Sequence, residues 1–174
     1  MLMAVFCLGA SLIGINAQEK DWANLQRYAQ QNAELPKPDK NEKRVVFMGN
    51  SITEGWVNTH PDFFKSNGYI GRGIGGQTSY QFLVRFREDV INLSPALVVI
   101  NAATNDIAEN TGAYHEDRTF GNIVSMVELA KANHIKVILT PPFPAAAFGW
   151  NPAIKDAPQK IASLNARLKA YAQT

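Results

Sequence analysis

The sequence predicts an α/β protein: a parallel sheet covered by helices on both faces, forming a three-layer α/β/α sandwich in a single domain. Three observations predict it. Short apolar runs alternate with amphipathic helical stretches, the pattern of strand–helix–strand crossovers. The strands end in glycine, asparagine or a proline pair, so the unusual loops follow strands, where sites gather in parallel sheets. The length of 174 residues suits one domain and is short for two.

The elements follow in order. Residues 19–33 carry Trp22, Leu25, Tyr28 and Ala29 at helical spacing and predict an amphipathic helix packed on the domain. Leu35 to Lys43 is a linker rich in proline and charge. Residues 44–48, "RVVFM", predict a buried strand stopped by Gly49, and the following "GNSITEG" reads as a turn-rich segment. Residues 60–67 predict a short helix, and "YIGRGI", 69–74, a weak strand. Residues 79–93 predict a helix with Phe82, Leu83, Phe86 and Val90 inward, and 96–101, "ALVVIN", a buried strand. Residues 117–133 predict a helix with Phe120, Ile123, Val124 and Val127 inward. Residues 135–140, "IKVILT", predict a further buried strand ended by Pro141 and Pro142. A last helix spans 158–172, with Pro158 suited to its first turn.

The first 17 residues stand apart. "MLMAVFCLGASLIGINA" is apolar, ends in small residues and precedes the polar "QEKD", as a signal peptide and its cleavage site do. The run is short for a membrane span, so the expected location is periplasmic or extracellular. Residues 18–43 then form an N-terminal helix and linker, and 44–174 the folded domain. Cys7, the only cysteine, lies inside the apolar run and reads as a plain hydrophobic residue, so disulfides and thiolate chemistry are not expected of the mature chain. A hydrophobic content of 46 % with 18 % charged residues fits a chain with a core rather than a disordered one. Net charge is +2 without a basic run, which leaves no footprint for nucleic acid.

Three loops carry the chemistry. Ser51 follows the first strand, with Gly49 permitting a tight exit. Gly75 and Gly76 follow the second strand, where a bare backbone can bring an N–H to a substrate oxygen. Asn105, with a side-chain amide donor, follows the third. A hydroxyl nucleophile with donors for a developing oxyanion is what ester hydrolysis needs. No cofactor or metal is called for, and no phosphate loop of nucleotide-binding spacing follows the first strand.

"GNSIT" (49–53), "GGQTS" (75–79) and "ATND" (103–106) together resemble the three leading blocks of the SGNH hydrolases, the GDSL-type esterases and lipases, over residues 44–174. The resemblance implies a flavodoxin-like sheet and an acyl-enzyme on Ser51. It implies oxyanion donors from the Ser51 amide, the Gly76 amide and the Asn105 side chain, with Asn50 and Asp106 in support. Asn50, Gln77 and Ala103 depart from the family's usual Asp, Asp and Gly. The family's late Asp-x-x-His block is absent: Asp62, Asp106, Asp117 and Asp156 have no histidine three residues on. Of His60, His115 and His134, only His115 lies in a loop at the right end of the sheet. The resemblance therefore also implies a chain cut short before a further strand, a terminal helix and the catalytic Asp and His, nearly inactive alone and prone to aggregate.

The loop Pro141–Pro152 holds Phe143, Phe148 and Trp150, which either line an acyl pocket or sugar-stacking surface or close over the core. The expected substrate is a small-molecule or carbohydrate ester carrying a small acyl group. A lysophospholipid- or thioester-type substrate, and a non-catalytic carbohydrate-binding protein on the same fold, are the alternatives.

Overall fold

The computed structural model describes residues 21–174; the expected signal peptide and Cys7 lie outside the described residues. Four strands, β1 (Val45–Gly49), β2 (Tyr69–Gly73), β3 (Leu97–Asn101) and β4 (Lys136–Thr140), form one sheet in the order β2-β1-β3-β4. All pairings are parallel, with Val46 opposite Ile70 and Val98, and Val98 opposite Val137. The chain leaves β1 for β2 on one side and returns to β3 on the other. The carboxyl end of β1 is thus the topological switch point, where open α/β sheets place their ligands.

Among the described residues seven α-helices accompany the strands: α1 (Gln26–Glu34), α2 (Ser51–Thr59), α3 (Pro61–Asn67), α4 (Ser79–Asp89), α5 (Thr104–Ile107), α6 (Glu116–Ala132) and α7 (Ala157–Tyr171). Alternation along the strands sorts the side chains to two faces. Val46, Met48, Val98 and Ile100 point to one face and form the main core with Phe82 and Phe86 of α4, Ile123 and Met126 of α6, and Leu164 of α7. On the other face Phe47 lies in an aromatic cluster, with ring centroids 5.3 Å from Phe64 and 5.5 Å from Trp56. A Cβ on Gly71 would lie 2.2 Å from Val57 Cγ2, so the missing side chain lets α2 settle on β2.

Four expectations need correction. The segment after Gly49 is a helix rather than a turn, because the Asn50 side chain caps it: Ile52 N–H donates to Asn50 Oδ1 at 3.0 Å. The first helix starts at Gln26, and Trp22 lies outside it and exposed, because Asp21 caps at Leu25 and Gln26. The helix read over 79–93 ends at Asp89, and a 3-10 turn, Ile91–Leu93, follows it. Finally, β4 is an edge strand whose second face is open among the described residues, with Ile138 47 % exposed.

Candidate active site

At the end of β1, a Cβ on Gly49 would stand 1.9 Å from Thr53 Oγ1, so only glycine lets the strand turn this sharply into α2. Asn50 is buried and spends its side chain on the cap. Ser51 then opens the helix, exposed, where the first N–H groups lack intrahelical partners and the helix dipole favours negative charge.

The second loop lies against this turn. Ile74 N–H donates to Gly49 O at 3.1 Å, and Gly75 N–H donates to Glu54 Oε2 at 2.9 Å. A Cβ on Gly75 would be 3.8 Å from Ser51 Cβ, which puts that loop beside the serine. Gly76 adopts φ +75°, a left-handed conformation open to glycine at no steric cost. Its N–H makes no hydrogen bond among the described residues.

The third loop closes on the second. Asn105, 4 % exposed, donates one Nδ2–H to Gln77 O at 2.9 Å, and a primary amide has a second N–H to offer. The Asp106 carboxylate accepts from the Ser79 amide at 2.9 Å, from the Ser79 hydroxyl and from Thr119 Oγ1 at 3.2 Å. Burial pushes its pKa up, and the hydrogen bonds from Ser79 and Thr119 oppose that rise. Asp106 thus ties the loop to the N-termini of α4 and α6. Ala103 sits at φ +82° at the head of α5, the conformation that glycine adopts freely.

Arg85 was not among the residues singled out in the sequence. It is fully buried on α4 and spans the site from beneath. Its Nε donates to Gln77 Oε1 at 2.7 Å, one terminal nitrogen to Asp89 Oδ2 at 2.8 Å, and the other to Gly49 O at 3.0 Å. One side chain therefore links the serine turn to the glycine loop. The available signal was an Arg and an Asp at i, i+4 within the stripe of Phe82, Phe86 and Val90. The N-terminal segment is a second brace: Tyr28 OH donates to Gly73 O, Gln77 Nε2 to Ala23 O at 2.7 Å and Gln81 Nε2 to Trp22 O at 2.7 Å.

The late loop divides. Phe148 is 2 % exposed and belongs to the core, so it closes the fold rather than lining a pocket. Trp150 is 60 % exposed and leans on Phe148 with ring centroids 5.2 Å apart. Phe143, also exposed, borders a cavity of about 110 Å³ with Phe47, Ile52, Trp56, Val99 and Thr140, next to the serine turn. None of the histidines accompanies Ser51. His60 follows the far end of α2, about 13 Å along a nine-residue helix. His115 precedes α6 in a cleft with Trp22, Tyr80 and Arg118. His134 precedes β4, at the opposite end of the sheet. Among the described residues no cluster of three or more His, Cys, Asp or Glu could hold a metal, and no helix is long and apolar enough to cross a membrane.

The structure thus brings to the carboxyl end of a parallel sheet a serine, a glycine loop beside it and an Asn-Asp loop bonded to that glycine loop. The sequence profile of the GDSL-like lipase/acylhydrolase family matches residues 47–174, and the chain belongs to that family. A solved structure from Bacteroides fragilis, provisionally assigned as an acylhydrolase, is 97 % identical and superposes with a TM-score of 0.88, over 89 % of this chain and 74 % of that one. A GDSL-like lipase from Bacteroides thetaiotaomicron is 78 % identical with a TM-score of 0.86, over 87 % and 74 % of the two chains. The lipoprotein YqeF of Bacillus subtilis is 31 % identical over 112 residues, 55 % of this chain; the chain spans about half of that relative, 46 % of its length.

Proposed function

We propose that the protein is an exported serine esterase that hydrolyses carboxylic esters through an acyl-enzyme on Ser51. The observation that carries this reading is the exposed Ser51 at the head of α2 beside the Gly75–Gly76 loop, whose Gly76 N–H has no partner among the described residues and to which Asn105 is hydrogen-bonded; in this reading the Ser51 amide, the Gly76 N–H and the second N–H of Asn105 serve as the oxyanion donors. Such donors stabilise charge as it develops on the carbonyl oxygen of the tetrahedral intermediate, and losing one costs about 10²–10³ in kcat in well-studied cases. Ser51 Oγ attacks the ester carbonyl, the alcohol departs with a proton, and water then releases the acid.

The preferred substrate is a carbohydrate ester with a small acyl group. The small apolar cavity lined by Ile52 and Thr53, the residues that follow Ser51, is of a size that suits a short acyl group. Trp150 presents an exposed, supported ring, as sugar stacking requires. Export is supported by the apolar leader and by likeness to a lipoprotein.

One observation favours a second reading. No histidine stands at Ser51, so within these residues the serine has electrophile-binding donors and no base, as a non-catalytic ester- or sugar-binding protein would. One experiment separates the two. Ester cleavage is followed with 4-nitrophenyl acetate at increasing imidazole as an external base, with Ser51→Ala as the blank at each concentration. An esterase gives slow cleavage above the blank that rises with imidazole, and an acetyl group on Ser51 by mass spectrometry. Rates equal to the blank throughout overturn the catalytic reading and leave binding.

A further inference from the structure

We propose that Asn110 is a positioning residue that couples the exposed Trp150 ring to the oxyanion glycine, so that the indole on which a sugar would stack also holds the Gly76 amide in place for catalysis. The inference rests on the esterase reading above. Its basis is a continuous hydrogen-bonded path. Trp150 Nε1–H donates to Asn110 Oδ1 at 3.0 Å, and Asn110 Nδ2–H donates to Gly76 O at 3.0 Å.

Each link has a direction. An indole nitrogen can only donate, so the bond from Trp150 fixes which end of the Asn110 amide faces it. The amide nitrogen is thereby left to face Gly76. The Gly76 carbonyl belongs to the residue whose N–H is the proposed oxyanion donor, and that residue has a left-handed backbone and no side chain to hold it. The flanking peptides are held separately, Gly75 N–H by Glu54 and the Gln77 side chain by Arg85. The peptide plane on the far side of the Gly76 α-carbon is held at its carbonyl by Asn110 at 3.0 Å and, at the longer distance of 3.4 Å, by Gln77 N–H donating to Ile74 O.

The other end of the path is equally defined. Asn110 follows α5 and its N–H donates to Asn105 O at 3.0 Å, so it is seated on the loop that carries the third oxyanion donor. Trp150 is braced from behind by buried Phe148, and the neighbouring Asn151 donates to Ala108 O at 2.8 Å. The ring is therefore a fixed platform whose polar edge is tied inward and whose surface is open. A ligand stacking on that surface meets a ring already tied, through Asn110, to Gly76. The device acts on a saccharide ester; a small ester that does not reach Trp150 feels only the resting geometry.

The test uses the full chain and two independent readouts. The first is ¹⁵N relaxation of the Gly76 amide in the wild type, Trp150→Phe, Asn110→Ala and Asn110→Asp. Trp150→Phe keeps a ring but loses the N–H; Asn110→Asp keeps an acceptor for Trp150 and loses the donor to Gly76. The expected result is an ordered Gly76 in the wild type and an order parameter falling below about 0.6 in all three variants. The second is imidazole-assisted hydrolysis above the Ser51→Ala blank, with 4-nitrophenyl acetate and an acetylated xylo-oligosaccharide. Asn110→Ala is expected to lower kcat about tenfold on both esters with KM on the small ester unchanged. Trp150→Phe is expected to lower kcat at least as much on the saccharide as on the small ester. A Gly76 amide equally ordered in wild type and Trp150→Phe overturns the coupling whatever Ser51 does. Variants that raise only KM overturn the positioning role. Rates at the Ser51→Ala blank throughout overturn the esterase reading and the positioning role of Asn110 with it, an outcome distinct from an unmoved Gly76 amide.

Discussion

Gly49 and Ala103 show how single positions shape the site. A Cβ at Gly49 meets Thr53 1.9 Å away, and one at Gly73 meets the Glu54 backbone nitrogen 2.3 Å away. Thr53 Oγ1 can rotate away from Gly49, leaving only the Thr53 Cβ 2.6 Å off, whereas the three atoms nearest a Gly73 Cβ, Glu54 N and Cα and Asn50 O, are all backbone and cannot rotate away. Gly73→Ala should therefore cost more than Gly49→Ala, and both should exceed about 2 kcal/mol in denaturant melts, at the upper end of single substitutions. Ala103 has the opposite problem, since its left-handed backbone costs an L-residue about 1–2 kcal/mol. Ala103→Gly relieves that strain, which offsets the lost methyl and the extra freedom of the unfolded chain. It should cost clearly less than Ala102→Gly next door, which has no strain to relieve; equal costs would contradict this account.

Asp106 adds a pH dependence. Its folded pKa is raised from 3.8, chiefly by burial. A carboxyl raised on folding contributes stability that is fully present below its unfolded pKa and is lost as pH rises through its folded value. Unfolding free energy measured upward from about pH 4 should carry a declining contribution that Asp106→Asn removes. At neutral pH the same variant should still be destabilised by about 1–3 kcal/mol, because the Asn amide cannot accept all the bonds from Ser79 and Thr119. An identical pH profile for variant and wild type would show that Asp106 titrates as it does in the unfolded chain.

At the scale of elements, α4 deserves the emphasis that its sequence did not suggest. Arg85 and Asp89 form a buried i, i+4 pair, and Arg85 also holds Gly49 O and Gln77. Burial lowers the Arg85 pKa, and the paired Asp89 opposes that fall. Removing one partner leaves an uncompensated buried charge, so Arg85→Met should cost about 3–5 kcal/mol. Removing both charges, Arg85→Met with Asp89→Leu, should recover part of the loss in stability while the link between the serine turn and the glycine loop stays broken. Hydrolysis above the Ser51→Ala blank should therefore not recover with it. Parallel recovery of both would make Arg85 a packing residue only.

For the whole molecule, coverage of the sheet is uneven. One face is sealed by α4, α6 and α7, while on the other the helices sit over β1 and β2, leaving Ile138 on β4 exposed. Among the described residues β4 also presents an unpaired edge. An apolar strand open on an edge and a face favours association. The 174-residue chain should self-associate with rising concentration in light scattering, and Ile138→Lys should shift it toward monomer. A wild-type chain that stays monomeric at high concentration would contradict this.

Much of this protein was legible in its sequence. The alternation of short apolar runs with amphipathic stretches determined the parallel sheet, because that pattern can bury its apolar groups in few other ways. That Ser51, Gly76 and Asn105 follow β1, β2 and β3 was legible from the same alternation, and strand exits in such a sheet meet at one end; the roles given to them are proposals. Local reading failed where one side chain reverses local preference, as Asn50 does in capping α2, and where a residue's role depends on distant partners. Nothing in the spacing of residues 85, 77 and 49, or 150, 110 and 76, shows that they touch. Only the tertiary structure decided that Arg85 braces the site, that Phe148 is core while Trp150 is surface, and that Asn110 lies between Trp150 and Gly76. Hydrophobic periodicity is written along the chain, whereas a hydrogen bond between loops exists only once the sheet has brought their ends together.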